Sequence, residues 1–207
     1  MEALIDWLAF TVTEYENKEA TAEEVIMDIL ELDLGMFQLL NGRMGYRQQY
    51  FYNNIRVYFD GREDMGFHVQ ISGEGVRYLE AKQDFKWKDF FYMLINWFGA
   101  KITRMDIALD DTEGIINLDL LEHKMKNGEA ISRWRQGRPM VNYDLSTGEA
   151  RGKTLYFGSR SSDMMCRFYD KREQVKEHYE EQGKELPGHW LRCEIEMKGL
   201  KGFLKSI

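Results

Sequence analysis

The sequence predicts an α+β fold in one domain, residues 1–207, with a mainly antiparallel or mixed central sheet and helices packed on it. Helical segments are interspersed with strand-like segments that mostly lack the spacing of parallel crossovers. The sequence shows no linker, repeat or low-complexity segment, and 207 residues suffice for one core. The last strong strand signal lies close to the end of the chain, which leaves a C-terminal truncation of the domain open.

The first half of the chain alternates strand and helix signals. Residues 4–12 alternate in hydropathy as a strand does. Thr21 is a suitable N-cap for a short helix over 21–32, with acids in its first turn. Three stretches rich in aromatic and β-branched residues, punctuated by Asn-Gly, Asp-Gly and Gly, predict an antiparallel meander: 41–52, 54–60 and 65–73. A short helix or turn at 75–80 and an amphipathic helix ending at Gly99 follow.

The second half repeats this alternation. The sequence predicts a strand at 101–111 and a helix closed by Asn-Gly at 118–128. It then predicts a hairpin of 152–159 with 164–171, a helix at 172–182 and a final strand at 189–198. Every element of the α+β prediction is therefore assigned to a stretch of sequence.

The composition is that of a globular protein, with 43% hydrophobic and 30% charged residues. No apolar run approaches the roughly 20 residues that cross a bilayer, and the acidic start predicts no signal peptide. Cys166 and Cys193 lie in different segments, as structural thiols of a reducing cytoplasm would. We therefore expect a cytoplasmic protein without a membrane partner. Phosphate-loop and dinucleotide fingerprints are absent, so ATP or NAD chemistry has no support.

The net charge of −7 is unevenly distributed. Residues 1–34 hold ten acids and one lysine, whereas residues 131–176 hold ten basic groups and five acids. A local basic field can attract phosphate even when the net charge is negative. Both stretches could equally be solvated faces.

The first candidate site is the predicted strand at 101–111. Because alternate residues of a strand share a face, Arg104, Asp106 and Asp110 point one way. Carboxylates on an inner face call for a cation, and their oxygens suit Mg²⁺ or Mn²⁺. The alternative is an exposed face that ends in an Asp-Asp turn.

The second candidate site is the predicted strand at 189–198. Arg192, Glu194 and Glu196 share one face and repeat the arrangement of an arginine followed by acids. Two such strands side by side would form a carboxylate cluster able to hold a metal. A solvent-facing strand with a cross-strand ion pair is the alternative.

The third candidate site is a tyrosine between two cations. Arg167, Tyr169 and Lys171 are predicted to alternate on one strand face. Positive neighbours favour the phenolate and bind phosphate oxygens, which a tyrosine attacking a phosphodiester requires. With eleven tyrosines in the chain, simple packing is the alternative. The turn beside it adds Ser159 and Arg160 as a possible phosphate cradle.

Two further groups are weaker candidates. His68 and Gln70 share a strand face and could imitate part of a two-histidine metal motif, although a lone strand histidine is usually packed or exposed. Aromatic residues interleaved with arginines in the meander could stack on single-stranded bases, or simply form sheet core. They are Tyr46, Tyr50, Phe51, Tyr52 and Tyr58 with Arg43, Arg47 and Arg56.

Taken in order, five of these segments resemble the Rep_trans replication initiation factors. The segments are LIDWLAFTV, HVQISGEGVRYLE, TRMDIALDD, TLYFGSRSSDMMCRFYDK and WLRCEIEMK. The family comprises initiators of rolling-circle plasmids of Gram-positive bacteria and the related MOB-T relaxases of integrative conjugative elements. The resemblance implies nicking of one DNA strand at an origin by a tyrosine and a divalent cation.

The resemblance also implies roles for single residues. It assigns the nucleophile to Tyr169 and metal binding to Asp106 and Glu194, with Asp110 and Glu196 as further candidates. Independently of the resemblance, the charge and position of six residues predict phosphate contacts: Arg104, Arg160, Arg167, Lys171, Arg192 and Ser159. The cofactor would be Mg²⁺ or Mn²⁺, the substrate single-stranded or cruciform origin DNA, and the candidate partners a helicase and a second copy of the chain. A non-catalytic DNA-binding protein of the same fold and a metal nuclease that uses water are the alternatives.

Overall fold

The computed structural model describes residues 1–15, 18–19 and 21–200. The chain divides into two compact units, which are described separately. The N-terminal unit contains Ile5–Met105, and the C-terminal unit contains Asp106–Met197 together with Met1–Leu4. Strand ladders within both units are antiparallel and helices accompany them, which confirms the predicted α+β class.

The N-terminal unit is built on strands in the order β4-β5-β6-β7-β1. Their bounds are β1 Glu2–Val12, β4 Gln38–Asn41, β5 Gln48–Tyr52, β6 Ile55–Phe59 and β7 Phe67–Ser72, and a short pair is formed by β2 Glu14–Tyr15 and β3 Lys18–Glu19. The helices are α1 Ala22–Glu24, which continues in a π-helical turn Val25–Ile29, a 3₁₀ turn Leu34–Met36, α2 Gly73–Glu80 and α3 Trp87–Asn96. Phe90 of α3 packs edge-on against Phe10 of β1, with ring centroids 6.3 Å apart. The helices therefore cover the sheet face that carries Phe10.

The C-terminal unit has the strand order β8-β12-β11-β10-β9. Its strands are β8 Lys101–Asp111, β9 Gly137–Tyr143, β10 Ala150–Phe157, β11 Met164–Asp170 and β12 Leu191–Lys198, and its helices are α4 Leu118–Lys126 and α5 Lys171–Glu181. The core lies on one sheet face, where Leu155, Phe157, Cys166 and Cys193 meet Leu118, Leu121 and Met125 of α4. The opposite face carries the polar residues of the candidate site.

Most elements predicted from sequence are present. Thr21 caps α1 with a reciprocal capping box, accepting from the backbone N–H of Glu24 at 3.1 Å. The predicted hairpin is β10–β11. The two cysteines are free buried thiols with their sulfurs 3.7 Å apart. Within the described residues, no helix is long and apolar enough to cross a membrane.

Two differences concern strands. The stretch predicted as one strand over 41–52 contains a tight turn. The backbone passes so close to Gly42 there that a Cβ on this residue would lie 2.4 Å from the carbonyl oxygen of Tyr46, so glycine is needed at this position. The turn separates β4 from β5. The prediction also lacked β9, since this edge strand is mostly exposed and therefore has no hydrophobic alternation.

Replacement of Leu155 by alanine should lower the free energy of unfolding by about 2–4 kcal/mol. Leu155 is fully buried in the cluster under the candidate site, so truncation leaves a cavity there. Urea unfolding would measure the change, with Leu145→Ala as the control because Leu145 is 99% exposed. Equal stabilities of the two variants would contradict this placement of the core.

Candidate active site

Two rows of side chains cross the polar face of the C-terminal unit. The pairing registers place opposite one another Arg138 and Tyr156, Tyr156 and Arg167, and Arg167 and Glu194. Asp106 of the neighbouring strand β8 is hydrogen-bonded to Glu194 at the end of this first row. The second row runs Met140, Thr154, Tyr169 and Arg192, and an ion pair joins Arg192 to Asp110. The face-sharing predicted for three separate strands thus becomes a single surface.

Glu194 is the centre of the first row. Its side chain is 1% exposed, and its two carboxylate oxygens accept from the Arg167 guanidinium and, at 3.0 Å, from the Tyr169 hydroxyl. Burial raises the pKa of Glu194, but hydrogen bonds and positive charge from Arg167, with smaller contributions from Tyr169 and Asp106, bring it below its ordinary value. Glu194 is therefore a carboxylate at neutral pH.

Tyr169 lies between two cations, as its sequence context predicted. The guanidinium carbon of Arg167 is 5.6 Å from the centroid of the ring, and the Nζ atom of Lys171 is 5.9 Å from it. The placement of Lys171 on the strand face was wrong. Lys171 begins α5, because the Asp170 side chain caps the helix by accepting from the Glu173 N–H at 3.0 Å. The helix start still holds the ammonium beside the tyrosine.

Asp110 and Arg192 form a two-pronged ion pair in the second row. The Nε and Nη2 atoms of Arg192 donate to the two oxygens of Asp110 at 2.6 and 2.7 Å. Burial raises the pKa of Asp110, but Arg192 and, at longer range, Lys171 lower it below its usual value overall. A cation bound by Asp110 would therefore have to compete with the guanidinium for the same oxygens.

The remaining predicted residues lie at other positions of the strands and turns. Glu196 is half-buried on the face of Glu194, two residues further along β12. Ser159 and Arg160 occupy the β10–β11 turn, and Tyr169 lies five residues from the near end of β11, or roughly 16 Å along the strand. Arg104 lies in the first part of β8, which belongs to the N-terminal unit, and its guanidinium is 4.7 Å from the Trp7 ring centroid.

Sequence reasoning missed residues on both sides of the site. Tyr156 and Arg138 extend the first row, with the Arg138 guanidinium 5.1 Å from the Tyr156 ring centroid. Asp111 is fully buried and accepts from three backbone N–H groups of the following turn. The Asp-Asp pair was the available signal: alternation turns its second member away from the site, and an aspartate before a glycine-containing turn is a common backbone acceptor.

A polar cleft of about 760 Å³ opens beside the tyrosine. Tyr156, Arg167 and Tyr169 line it together with Thr154, and α5 contributes Gln174 and Lys176. The cleft borders the tyrosine, and its walls carry hydroxyl, amide and cationic groups together with acids such as Glu173 and Glu177 of α5.

The donor set at Asp106 and Glu194 fits a hard divalent cation. Two carboxylates that are each 1% exposed lie within hydrogen-bonding distance of each other, an arrangement that requires a proton or a cation between them. Mg²⁺ is commonly held by one or two carboxylates, with substrate phosphate completing its coordination. Among the described residues, no group of three or more His, Cys, Asp or Glu side chains is arranged to hold a metal. The donors that these residues offer to a cation are therefore the two carboxylates of Asp106 and Glu194.

Comparison with known proteins gives two family matches along the chain. The profile of the replication initiation factor family, Rep_trans, matches residues 100–204, which is half of the chain. This chain belongs to the replication initiation factor family. The profile of the rolling circle replication initiation protein N-terminal domain matches residues 2–93. The Rep_trans resemblance seen in the sequence is confirmed.

Two members of the comparison are similar to this chain over most of its length. The putative DNA relaxase NicK of Bacillus subtilis (strain 168) is 32% identical over 186 residues, covering 87% of this chain and 52% of that protein. The chain thus spans about half the length of this curated relative. The structure of a rolling circle replication initiator protein from Geobacillus stearothermophilus matches with a TM-score of 0.82 at 35% identity, covering 95% of this chain and 74% of that chain.

Proposed function

We propose that this chain nicks and rejoins one DNA strand at a replication or transfer origin, with Tyr169 as the nucleophile. The observation that carries the proposal is the hydrogen bond from the Tyr169 hydroxyl to Glu194, formed between two cations at the wall of a polar cleft. The names of the two relatives, a relaxase and a rolling-circle initiator, support DNA as the substrate.

The reaction is an exchange of phosphate esters. The Tyr169 oxygen attacks the scissile phosphorus, forming a tyrosyl–phosphorus bond as the bond from phosphorus to the 3′ oxygen breaks. The phenolic proton passes along its hydrogen bond to Glu194, and the departing 3′ oxygen takes up a proton to become a hydroxyl. The DNA is left joined through a 5′-phosphotyrosyl ester, so the 3′ hydroxyl can reverse the reaction and close the strand.

Cations next to Tyr169 would hold the phosphate. Arg167 offers donors beyond its contact with Glu194, and Lys171 lies on the other side of the ring. Charge on the phosphate oxygens grows in the transition state, and fixed positive groups stabilise it there. Ser159 and Arg160, roughly 16 Å along β11, would contact a more distant part of the strand. We keep Arg104 and Arg192 as further candidates for DNA contacts.

Asp106 and Glu194 would hold Mg²⁺ or Mn²⁺, with Asp110 and Glu196 as secondary candidates. A divalent cation bound there would polarise the phosphate and neutralise part of its charge. The protein residues retain their own tasks: Glu194 orients the tyrosine hydroxyl, and Arg167 fixes the Glu194 carboxylate.

Tyr169→Phe should abolish the covalent DNA adduct while leaving the fold intact, because it removes only the attacking oxygen. The assay is denaturing electrophoresis after incubation with labelled single-stranded origin DNA and Mn²⁺. Tyr143→Phe is the matched control, since Tyr143 is 61% exposed at the end of β9.

Three outcomes would contradict the proposal. An adduct formed by Tyr169→Phe would place the nucleophile elsewhere. Cleavage without a protein–DNA link would indicate a metal nuclease that uses water. Salt-sensitive DNA binding by the wild type, without cleavage or adduct, would indicate a non-catalytic binding protein.

A further inference from the structure

The N-terminal unit repeats the strand arrangement of the C-terminal unit. In each unit a first strand is followed by a helix and a three-stranded meander, and a last strand returns to lie beside the first. The orders β1-β7-β6-β5-β4 and β8-β12-β11-β10-β9 are therefore equivalent position by position. This equivalence allows the polar faces of the two units to be compared residue by residue.

The registers of the N-terminal unit also define two rows on the face opposite Phe10. The first row reads Gln38, Phe51, Arg56, Gln70 and Ala9. The second row reads Leu40, Gln49, Tyr58, His68 and Thr11. Strand for strand, they match the rows that contain Arg167 and Tyr169.

The arginine and the tyrosine occur in both units at the same positions. Arg56 and Tyr58 of β6 correspond to Arg167 and Tyr169 of β11, each pair separated by one core residue. The Tyr58 hydroxyl lies 3.4 Å from the side-chain oxygen of Gln70, as the Tyr169 hydroxyl lies 3.0 Å from that of Glu194. The neutral amide of Gln70 thus takes the place of the Glu194 carboxylate, and the two side chains have nearly the same shape.

The acids of the catalytic face are missing from this second face. Gln70 stands where the C-terminal unit has Glu194, and neither row of this second face contains a carboxylate. Tyr58 is 3% exposed, and the ring of Tyr46 packs over it with centroids 5.9 Å apart. The second face therefore offers no carboxylate pair for a cation, and its tyrosine is covered by another ring, whereas Tyr169, which is 8% exposed, borders the polar cleft. No nicking is expected from the second face.

The first row nevertheless retains a cation and an aromatic ring, two kinds of group that bind single-stranded DNA. The Arg56 guanidinium lies 4.3 Å from the Phe51 ring centroid and donates to the neutral amide of Gln49 at 3.1 Å. Arg167, by contrast, is paired with Glu194. A phosphate bound by Arg56 would therefore not be repelled by an adjacent carboxylate. The half-buried ring of Phe51 would supply an aromatic surface on which a base can stack.

We propose that this face of the N-terminal unit, centred on Arg56, Phe51 and Gln70, is a second and non-catalytic site for single-stranded DNA. The choice of DNA as ligand rests on the proposed function of the C-terminal unit. The binding itself requires neither metal nor nicking. The second site would hold strand that is not being cut, while the first carries out the chemistry.

The test is binding of a short labelled single strand by the full chain in the presence of a chelator, followed by fluorescence anisotropy at several salt concentrations. Arg56→Ala should weaken binding by about tenfold and reduce the salt slope by about 0.7. Gln70→Glu should also weaken binding and reduce the salt slope, although it removes no side chain, because it places a carboxylate opposite Arg56 in the register. Arg62→Ala is the control, since Arg62 is 78% exposed and pairs with Asp64.

Wild-type affinity and salt slope in both Arg56→Ala and Gln70→Glu would overturn the proposal. An equal loss in Arg62→Ala would also overturn it, because the effect would then be one of general charge. When the measurement is repeated with a duplex of the same sequence, a loss of affinity confined to the duplex would contradict the single strand as occupant. Failure of the wild type to form a covalent adduct would instead count against the proposed function. The binding measurement in the presence of a chelator could still be interpreted in that case, because it requires neither metal nor nicking.

Discussion

Glu194→Gln is expected to slow formation of the covalent DNA adduct by about a hundredfold or more. The substitution keeps the shape of the side chain but removes the charge that accepts the Tyr169 proton and fixes Arg167. It also gives the C-terminal unit the residue type that the N-terminal unit has at the equivalent position, Gln70. Single-turnover adduct formation at saturating DNA would separate this loss from weaker binding.

Glu185→Gln is the matched control for this experiment. It makes the same chemical change at an exposed residue outside the candidate site. A similar loss in both variants would indicate a general effect of the negative charge of the chain. An unchanged rate in Glu194→Gln would remove Glu194 from the mechanism.

Asp111→Ala is expected to lower the free energy of unfolding by about 3 kcal/mol. The fully buried carboxylate accepts from the backbone N–H groups of Glu113 at 3.1 Å, Gly114 at 3.0 Å and Ile116 at 2.6 Å. Without it, these three groups lose their acceptor and the turn between β8 and α4 loses its order. Urea unfolding at about neutral pH gives the change.

The effect of Asp111 should disappear in acid. Burial raises the pKa of Asp111, but the backbone N–H groups and the nearby His189 lower it below the unfolded value overall. The carboxylate therefore stabilises the fold above its unfolded pKa of about 3.9, and this contribution is lost as the pH falls through the folded pKa. The wild type and Asp111→Ala should approach each other in stability when urea unfolding is repeated at low pH.

Asp144→Ala provides the comparison for Asp111→Ala. Asp144 closes a similar turn by accepting from the N–H groups of Ser146 and Thr147, but the turn lies at the exposed tip of the β9–β10 hairpin. Water can replace the hydrogen bonds of the Asp144 carboxylate, so Asp144→Ala should lower the free energy of unfolding by less than Asp111→Ala does. If the two variants were equally destabilised at neutral pH, burial of Asp111 would not be the source of its effect.

The sequence by itself determined which residues share a face. Alternation with a period of two grouped Arg167 with Tyr169 and Glu194 with Arg192, and the structure keeps these groupings. The capping box at Thr21 was also readable, because its partner Glu24 is only three residues away. Both are local patterns, so the chain encodes them without reference to the rest of the fold.

Only the tertiary structure decided which of these residues are neighbours. Arg167 and Glu194 are 27 residues apart in the chain, and Arg192 and Asp110 are 82 apart. The register that joins them depends on turns and core packing along the intervening segments, and a shift of one residue would turn a whole strand face over. The equivalence of Arg56 with Arg167 was hidden for the same reason: it follows from strand order and register, which no local pattern carries.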